Sequence, residues 1–430
     1  MITQEQNERL TRIEGDAPMG SLIRESCWIP ACLSFSVKAG GAPKRVRLLG
    51  TDYVVFRGED GRVGFLDEAC PHRGVSLLLA RNEGCALTCI LHGWRIGADG
   101  QVLDAPTHSP NPESFAAKVR TRSYPVVDAG GLIWVYLGKD EAPRFPHLPF
   151  TALPDRNVWV TATECDCNWL QGVEATLDTA HIGTLHQSFI SAVADSNDAN
   201  TIGQTLDAVA PRYEVEHTPY GIDAIGLRDL PDGNTYLRRT RWILPLISLV
   251  PGNPGRSDGV IFIVSPVDDH HHVLFFGHWR LDRETHDGRY ERVPDDHASI
   301  VGDRPFDFEN FGAASGSRTE GWGQNRDAME RGHFSGLTGN LLQEDTVTQI
   351  SMGPIVDRTR EHLSSIDVAI IQARKALLQA LDNVEAGRPP VGDALPEDLS
   401  EVHPIDEIRP SASPLPGSRQ AAPGEGAGDV

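Results

Sequence analysis

Positive charge is in short supply. The 39 Lys and Arg face 60 Asp and Glu, a formal net charge of −21. A basic footprint for nucleic acid or an anionic membrane is therefore absent, although a local patch can still serve a protein partner. Long apolar runs are missing too: no stretch approaches the roughly 18 residues that span a bilayer. The opening Met1-Ile2-Thr3-Gln4-Glu5-Gln6-Asn7-Glu8 is polar and acidic, without the basic start and apolar core of a secretory signal. Cysteine forms no disulfide framework. Cys27, Cys32, Cys70, Cys85, Cys89, Cys165 and Cys167 are an odd set without regular spacing, which suits a reducing cytoplasm better than secretion. Some of these thiols are expected to be metal ligands or buried core groups. No internal repeat is visible, and no G-x-G-x-x-G fingerprint stands in a strand-to-helix context, so a nicotinamide or flavin site is not expected on this chain.

What is present suits a large globular protein. The 430 residues, 40% apolar and 23% charged, can fill about two or three domains. Residues 1–37 read as an N-terminal helical arm: a helical pattern around Gln4–Ile13, a turn at Gly15-Asp16-Ala17-Pro18-Met19-Gly20, and an apolar stretch near Trp28. Residues 38–147 read as a small all-β domain, with short runs at Arg45–Leu49, Tyr53–Arg57, Val63–Leu66, Gln101–Leu103 and Leu132–Leu137. Pro143, Pro146, Pro149 and Pro154 then punctuate a connection into residues 148–386. There Asn168–His186 is helical in composition, and residues 212–282 return to strands such as Gly259–Val264 and Val273–His278. A long helix is predicted over 364–385, with Ser365 or Asp367 as its cap. The expected fold class is α+β: an all-β domain, then a larger domain with an antiparallel sheet and helices. Residues 387–430 read as a Pro/Gly-rich tail, and Ser411–Val430 has too little apolar content to order itself.

The strongest local signal is Cys70-Pro71-His72-Arg73-Gly74 followed by Cys89-Ile90-Leu91-His92-Gly93-Trp94: C-x-H, sixteen residues, then C-x-x-H. Two thiolates and two imidazoles in paired loops suit a Rieske [2Fe–2S] centre, in which Cys70 and Cys89 hold one iron while His72 and His92 hold the other and raise its potential. Gly74 and Gly93 allow tight turns around inorganic sulfide. A Cys2His2 zinc site uses the same donors, but C-x-H is tighter than the usual zinc spacing of about two to four intervening residues. A respiratory-type disulfide clamp is also missing, since Val75 and Leu91 stand at its two positions.

A second motif follows in Asp178-Thr179-Ala180-His181-Ile182-Gly183-Thr184-Leu185-His186, which is D-x-x-H-x-x-x-x-H. Ferrous iron that activates O2 favours two imidazoles and one carboxylate on one face, with positions left open. His181 and His186 are the candidate imidazoles. At about 100° per residue Glu174, Asp178 and His181 share a helical face, whereas His186 is rotated about 140° from His181. A break or π-bulge is therefore expected between the two histidines, with Gly183 the natural place. Asp178 is better placed to accept from a ligand's second ring nitrogen than to ligate, so the carboxylate must come from elsewhere. Asp345 and its neighbour Glu344 are the rival candidates.

These motifs, in this order, resemble Rieske non-haem iron oxygenase alpha subunits over roughly residues 5–385. The narrower likeness is to the phthalate-dioxygenase type, which includes aromatic carboxylate dioxygenases and aryl-ether O-demethylases. It is carried by Ala17-Pro18-Met19-Gly20, the Asn168–His186 segment, Asp345 with Ser351-Met352-Gly353-Pro354-Ile355-Val356-Asp357-Arg358, and Glu361-His362-Leu363. The resemblance implies Cys70, His72, Cys89 and His92 as cluster ligands, and His181, His186 and Asp345 as ligands of a mononuclear Fe(II). It implies Asp178 as a bridge to His92 of a neighbouring subunit in a head-to-tail trimer. It also implies a separate reductase, with or without a ferredoxin, that delivers electrons from NADH or NADPH, and an aromatic, carboxylated substrate attacked by O2. One departure is visible: Ile96 and Gly97 stand where the family commonly has an aromatic residue and an acid after His-Gly-Trp.

A carboxylate substrate favours bidentate guanidinium groups, and Arg212, Arg228, Arg238, Arg239 and Arg241 lie in one strand-rich stretch. Alternation puts Arg239 and Arg241 on the face opposite Arg238, and by resemblance Arg212 and Arg238 are the expected substrate contacts. The bland reading is that these arginines offset an acidic surface. Cys165 and Cys167 are expected to be buried strand thiols rather than a soft-metal pair. Two other functions compete with an oxygenase. One is an electron carrier or redox sensor without oxygenase activity, and the other is a zinc-stapled binding module.

Overall fold

The structure is a computed structural model of the chain and describes residues 2–194, 201–252, 258–286, 306–390 and 396–411. Runs such as Tyr53-Val54-Val55-Phe56 fold as strands because β-branched and aromatic side chains fit a pleated, half-buried surface. Helices α1 (Gln4–Thr11) and α2 (Pro18–Ser26) come first. There follow β1 (Trp28–Leu33), β2 (Lys44–Leu48), β3 (Thr51–Arg57), β4 (Val63–Asp67), β5 (Arg81–Glu83), β6 (Ala86–Thr88), β7 (Arg95–Gly97), β8 (Val102–Asp104), α3 (Pro112–Ala116), β9 (Val126–Ala129) and β10 (Leu132–Tyr136). These strands make three small antiparallel sheets, ordered β1-β10-β9, β2-β3-β4 and β5-β6-β7-β8.

The larger domain begins with β11 (Val158–Cys165), α4 (Trp169–Leu177), α5 (Ile182–Leu185), α6 (Gln187–Ala194) and α7 (Gln204–Asp207). Then come β12 (Arg212–Thr218), β13 (Gly221–Asp229), β14 (Asn234–Ile243), β15 (Ile247–Val250), β16 (Gly259–Asp268) and β17 (His271–Trp279). Helices α8 (Arg326–Glu330), α9 (Leu341–Ser351) and α10 (Val368–Glu385) and a last strand, β18 (Ile405–Pro410), complete it. The strands form one antiparallel sheet in the order β11-β17-β16-β15-β14-β13-β12, with β18 added on β14. The α+β class expected from the sequence is the one found. Two cores divide the labour: Val54, Phe56, Leu66, Leu87, Trp94 and Ile96 pack around Cys70 and Cys89, while a larger core runs from the first helices through Trp134 and Trp159 into the main sheet.

Two expectations are corrected. Residues 1–37 are more than an arm on the β domain: β1 joins that domain's sheet, but the two helices enter the large core. Leu10, Ile13, Met19, Leu22 and Ile23 are fully buried in the large core, Arg9 pairs with Asp382 and Glu385 of α10 at 2.8 and 3.1 Å, and β1 is a partner of β10. Their partners lie more than a hundred residues away, beyond what local periodicity can register. Asp367, one of the two expected caps, is the N-cap residue of α10, although its side chain accepts from Ser364 N–H at 2.6 Å in the preceding 3-10 turn rather than from the helix.

Nor is everything beyond residue 387 a tail. β15 covers β14 only at Arg241–Ile243, and β18 takes up the open edge from Asn234 to Arg239, where unpaired backbone groups would otherwise invite aggregation. The expectation for Ser411–Val430 falls, from residue 412 onward, outside the described residues. β18 also brings Asp406 to Arg238 at 3.0 Å, both buried. Removing one partner of a buried pair typically costs about 3–5 kcal/mol. Asp406→Ala is thus expected to lower unfolding free energy by about that much in urea titration, and a loss below about 1 kcal/mol, the worth of a surface pair, would contradict it.

Candidate metal centres

Two loops of matching geometry leave β4 and β6. Cys70 N–H donates to the Val75 carbonyl at 2.8 Å and Gly74 N–H to the Cys70 carbonyl at 2.8 Å; Cys89 N–H donates to the Trp94 carbonyl at 2.8 Å and Gly93 N–H to the Cys89 carbonyl at 2.9 Å. Gly74 and Gly93 adopt φ of 74° and 73°, the left-handed turn that only glycine takes without strain. The two thiols are buried; burial pushes Cys70 up to about 11, beside Cys89. The His72 and His92 rings lie 4.5 Å apart, and His72 stacks on Trp94. His92 Nδ1 is buried with no hydrogen-bond partner, an orphaned atom that a metal would satisfy. A single zinc, at about 2.0–2.3 Å from each donor, would draw all four together. Among the described residues the set of three or more such donors that converges within 4.8 Å lies elsewhere, so Cys70, His72, Cys89 and His92 are not drawn together around one point. Ile96 and Gly97 are buried in β7.

The converging set is His181, His186 and Asp345. His181 Nε2 and His186 Nε2 approach to 3.2 Å, and Asp345 Oδ1 lies 3.4 and 3.0 Å from them. Each ring is held from behind: His181 Nδ1 by Asp178 Oδ2 at 3.3 Å, His186 Nδ1 by Glu344 Oε2 at 2.7 Å. Glu344, the rival to Asp345, thus faces the back of a ring, and Ser335 Oγ donates to its other oxygen. Burial disfavours charge on both rings, but the carboxylates outweigh it: Asp178 and Asp345 push His181 up to about 10, and Asp345 and Glu344 raise His186. Asp345 is buried yet lies well below the usual carboxylate range because both imidazoles face it. Basic nitrogens around an anionic oxygen are a donor set in which a divalent cation can replace protons.

The break in the helix comes before His181, not at Gly183. α4 stops at Leu177 and Asp178 is extended, with φ −82° and ψ 120°. Ala180 N–H donates to Asp178 Oδ1 at 2.6 Å and Thr179 N–H to the Tyr213 hydroxyl at 2.7 Å, so side chains capture the donors that a continuing helix would use. Gly183 instead permits a close approach, since a Cβ there would lie 2.0 Å from the Thr205 carbonyl oxygen. Beside the trio is a cavity of about 610 Å³, lined by Asp178, His181, Asp345, Leu185, Phe334 and Met352 among others. Beneath it Glu174 pairs with Arg358 at 2.9 Å and Arg374 at 2.7 Å, and Arg374 with Glu361 at 2.6 Å.

Neither expected substrate arginine lines that cavity. Arg212 is exposed on the edge strand and pairs with Glu214 at 2.6 Å. Arg238 is buried and already engaged by Asp406, Tyr236 and the Pro251 carbonyl; its partner acid belongs to the segment read as tail. Cys165 and Cys167 are buried thiols, and burial pushes Cys167 up to about 12. Sequence reasoning missed Tyr213 and weighed Arg228 only as one of five arginines for a substrate carboxylate or an acidic surface. Their contacts to the break are long-range and leave no local pattern.

Residues 27–125 match the Rieske [2Fe–2S] domain family, and residues 135–406 match the family described as LigXa C-terminal domain like. The chain is 35% identical to a phthalate 4,5-dioxygenase oxygenase subunit from Pseudomonas putida over 91% of this chain and 89% of that one. The protein belongs to the Rieske oxygenases. A 3-chlorobenzoate-3,4-dioxygenase oxygenase subunit from Comamonas testosteroni is 34% identical over 90% of each chain. In fold, this Rieske oxygenase resembles the terminal oxygenase of carbazole 1,9a-dioxygenase from Novosphingobium sp. KA1, with a TM-score of 0.54, 22% identity and coverage of 86% of this chain and 96% of that one. The family's cofactors are a Rieske cluster and a mononuclear iron, and its oxygenase components receive electrons through a separate reductase. No helix among the described residues is long and apolar enough to cross a membrane.

Because Glu344 holds His186 from behind, Glu344→Ala is expected to weaken retention of the mononuclear iron by about 10–100-fold. Chelator competition on the purified protein measures it, and unchanged retention would contradict the orienting role. Arg212→Gln is expected to leave KM for an aromatic acid within about twofold, since an exposed pair contributes little. A tenfold rise in steady-state KM would return this arginine to the substrate site.

Proposed function

We propose that this chain is a terminal oxygenase that hydroxylates an aromatic carboxylate, by dioxygenation or by monooxygenation including O-demethylation. In this reading Cys70, Cys89, His72 and His92 hold the cluster, and His181, His186 and Asp345 hold the mononuclear iron. The observation that carries it is the convergence of two Nε2 atoms and one carboxylate oxygen while Asp178 and Glu344 occupy the rings' other nitrogens. When bound, the two centres supply stored electrons and O2 activation. The residues around them orient the donors, and the cavity beside His181 leaves one side of the trio accessible. An electron carrier would have no use for such a second set of donors.

Asp178 is the proposed bridge between centres. Among the described residues no hydrogen bond joins it to His92 of the same chain, which favours a head-to-tail trimer in which His92 of a neighbour reaches it. Leu79, Ile90 and Leu91, near the cluster histidines in sequence, are exposed, as a protein-docking tip requires. Its partners are proposed to be O2, the substrate and a reductase, directly or through a ferredoxin, that draws on NADH or NADPH. Seven unpaired thiols support a cytoplasmic setting. The aromatic carboxylate rests on the relatives named for phthalate and 3-chlorobenzoate.

Turnover of a panel of benzoates, phthalates and methoxybenzoates under 18O2, with a phthalate-type reductase, tests the reading. Labelled product from at least one aromatic acid is expected, and labelled product only from neutral non-aromatic compounds would refute the substrate class. Asp345→Ala is expected to lose the mononuclear iron and all product while the cluster's visible spectrum and its reduction by the reductase persist. Retained iron in that variant would move the carboxylate ligand elsewhere.

A further inference from the structure

Past Leu177 nothing in a helix holds Asp178, and yet the carboxylate must keep its place beside His181. The sheet supplies the hold. Both backbone groups of Thr179 are taken by side chains from neighbouring strands: its N–H by the Tyr213 hydroxyl of β12 at 2.7 Å, its carbonyl by Arg228 Nη2 of β13 at 2.6 Å. The Tyr213 hydroxyl in turn donates to Asp178 Oδ1 at 3.3 Å, leaving Oδ2 to His181. Gly226, opposite Tyr213 in the strand register, makes the close approach feasible, since a Cβ there would lie 2.6 Å from Thr179 Cγ2. Arg228 is buried. Its Nε donates to the Ala208 carbonyl at 2.8 Å, its Nη1 has no partner, and it makes no ion pair among the described residues. A buried cation without an ion pair is costly; the Tyr236 ring, 6.0 Å from the guanidinium, and the Asp178 charge offset part of that cost.

We propose that Tyr213 and Arg228 are positioning residues that clamp the Asp178–Ala180 break to the sheet and so set the Asp178 carboxylate for electron passage between the two iron centres. This rests on the reading of Asp178 as the bridge. Tyr213 fixes the carboxylate by direct hydrogen bond, and Arg228 fixes the adjoining backbone while placing positive charge behind it.

Stopped-flow reoxidation of the reduced cluster in the substrate-bound oligomer, mixed with O2, tests this in wild type, Asp178→Asn, Tyr213→Phe and the double variant. Iron content, thermal midpoint and substrate KM are measured in parallel. Tyr213→Phe keeps the ring packing and is expected to slow reoxidation by about tenfold, as loss of one hydrogen bond to a charged group implies, with iron content and KM unchanged. The double variant is expected to be no slower than Asp178→Asn alone, because the tyrosine acts through that carboxylate. Arg228→Gln is expected to slow the step more than Arg228→Lys, which retains the charge. A Tyr213→Phe enzyme at wild-type rate while Asp178→Asn is slow would overturn the clamp alone. So would full multiplication of the two effects, or loss of mononuclear iron from Tyr213→Phe. If Asp178→Asn itself reoxidises at the wild-type rate, the bridge fails, and the clamp with it.

Discussion

Two imidazoles that present Nε2 to one point must be prevented from rotating, and a carboxylate behind each ring does this. Asp178 Oδ2 lies 3.3 Å from His181 Nδ1 and Glu344 Oε2 2.7 Å from His186 Nδ1, which leaves Nε2 of both rings turned toward Asp345. Glu344 and Asp345 are consecutive on α9, so their side chains diverge by about 100°. One therefore reaches the back of a ring while the other meets both fronts. That division of labour requires α9 to lie close against the segment that carries the histidines. Asn340 caps its start, accepting from Gln343 N–H at 2.8 Å, and Gln171 of α4 donates to the Gln349 and Gly353 carbonyls at its end.

The same demand reaches outward through Glu174, one turn before the end of α4. It holds Arg358 and Arg374, and Arg374 also holds Glu361. Arg358 Nη1 donates to Asn7 Oδ1 at 3.3 Å, which ties the first helix to the same cluster. Buried ion pairs of this kind add little net stability over apolar packing, but the loss of one partner strands a charge. Their contribution here is to fix α1, α4 and α10 at one mutual setting beneath the cavity. Arg358 and Glu361 belong to the residues that carry the phthalate-type likeness, so that likeness has a structural meaning beyond the metal donors.

What the sequence disclosed was short-range. C-x-H and C-x-x-H announce their loops because the donors and turn glycines are contiguous, and His181 and His186 stand out by spacing. The choice between Asp345 and Glu344 was not legible from residue type, since both acids are used and only the fold assigns their faces. Glycine is the usual local breaker, which points to Gly183; in the fold the break falls at Asp178–Ala180, where Tyr213, more than thirty residues on, takes a backbone donor. Arg238 looks free in the sequence because Asp406 stands in a segment that composition alone marks as tail. In each case the deciding partner is distant in sequence and the pattern around the residue is ordinary.

The central claim is that this chain carries two distinct iron centres, one in the paired loops and one at His181, His186 and Asp345. Metal and sulfide analysis of protein purified anaerobically from iron-replete cells, with Mössbauer spectra to separate the sites, tests it most directly. The account predicts about three irons and about two acid-labile sulfides per chain, with one iron in a high-spin ferrous site outside the cluster. Zinc in place of iron, or iron confined to a cluster, would contradict it.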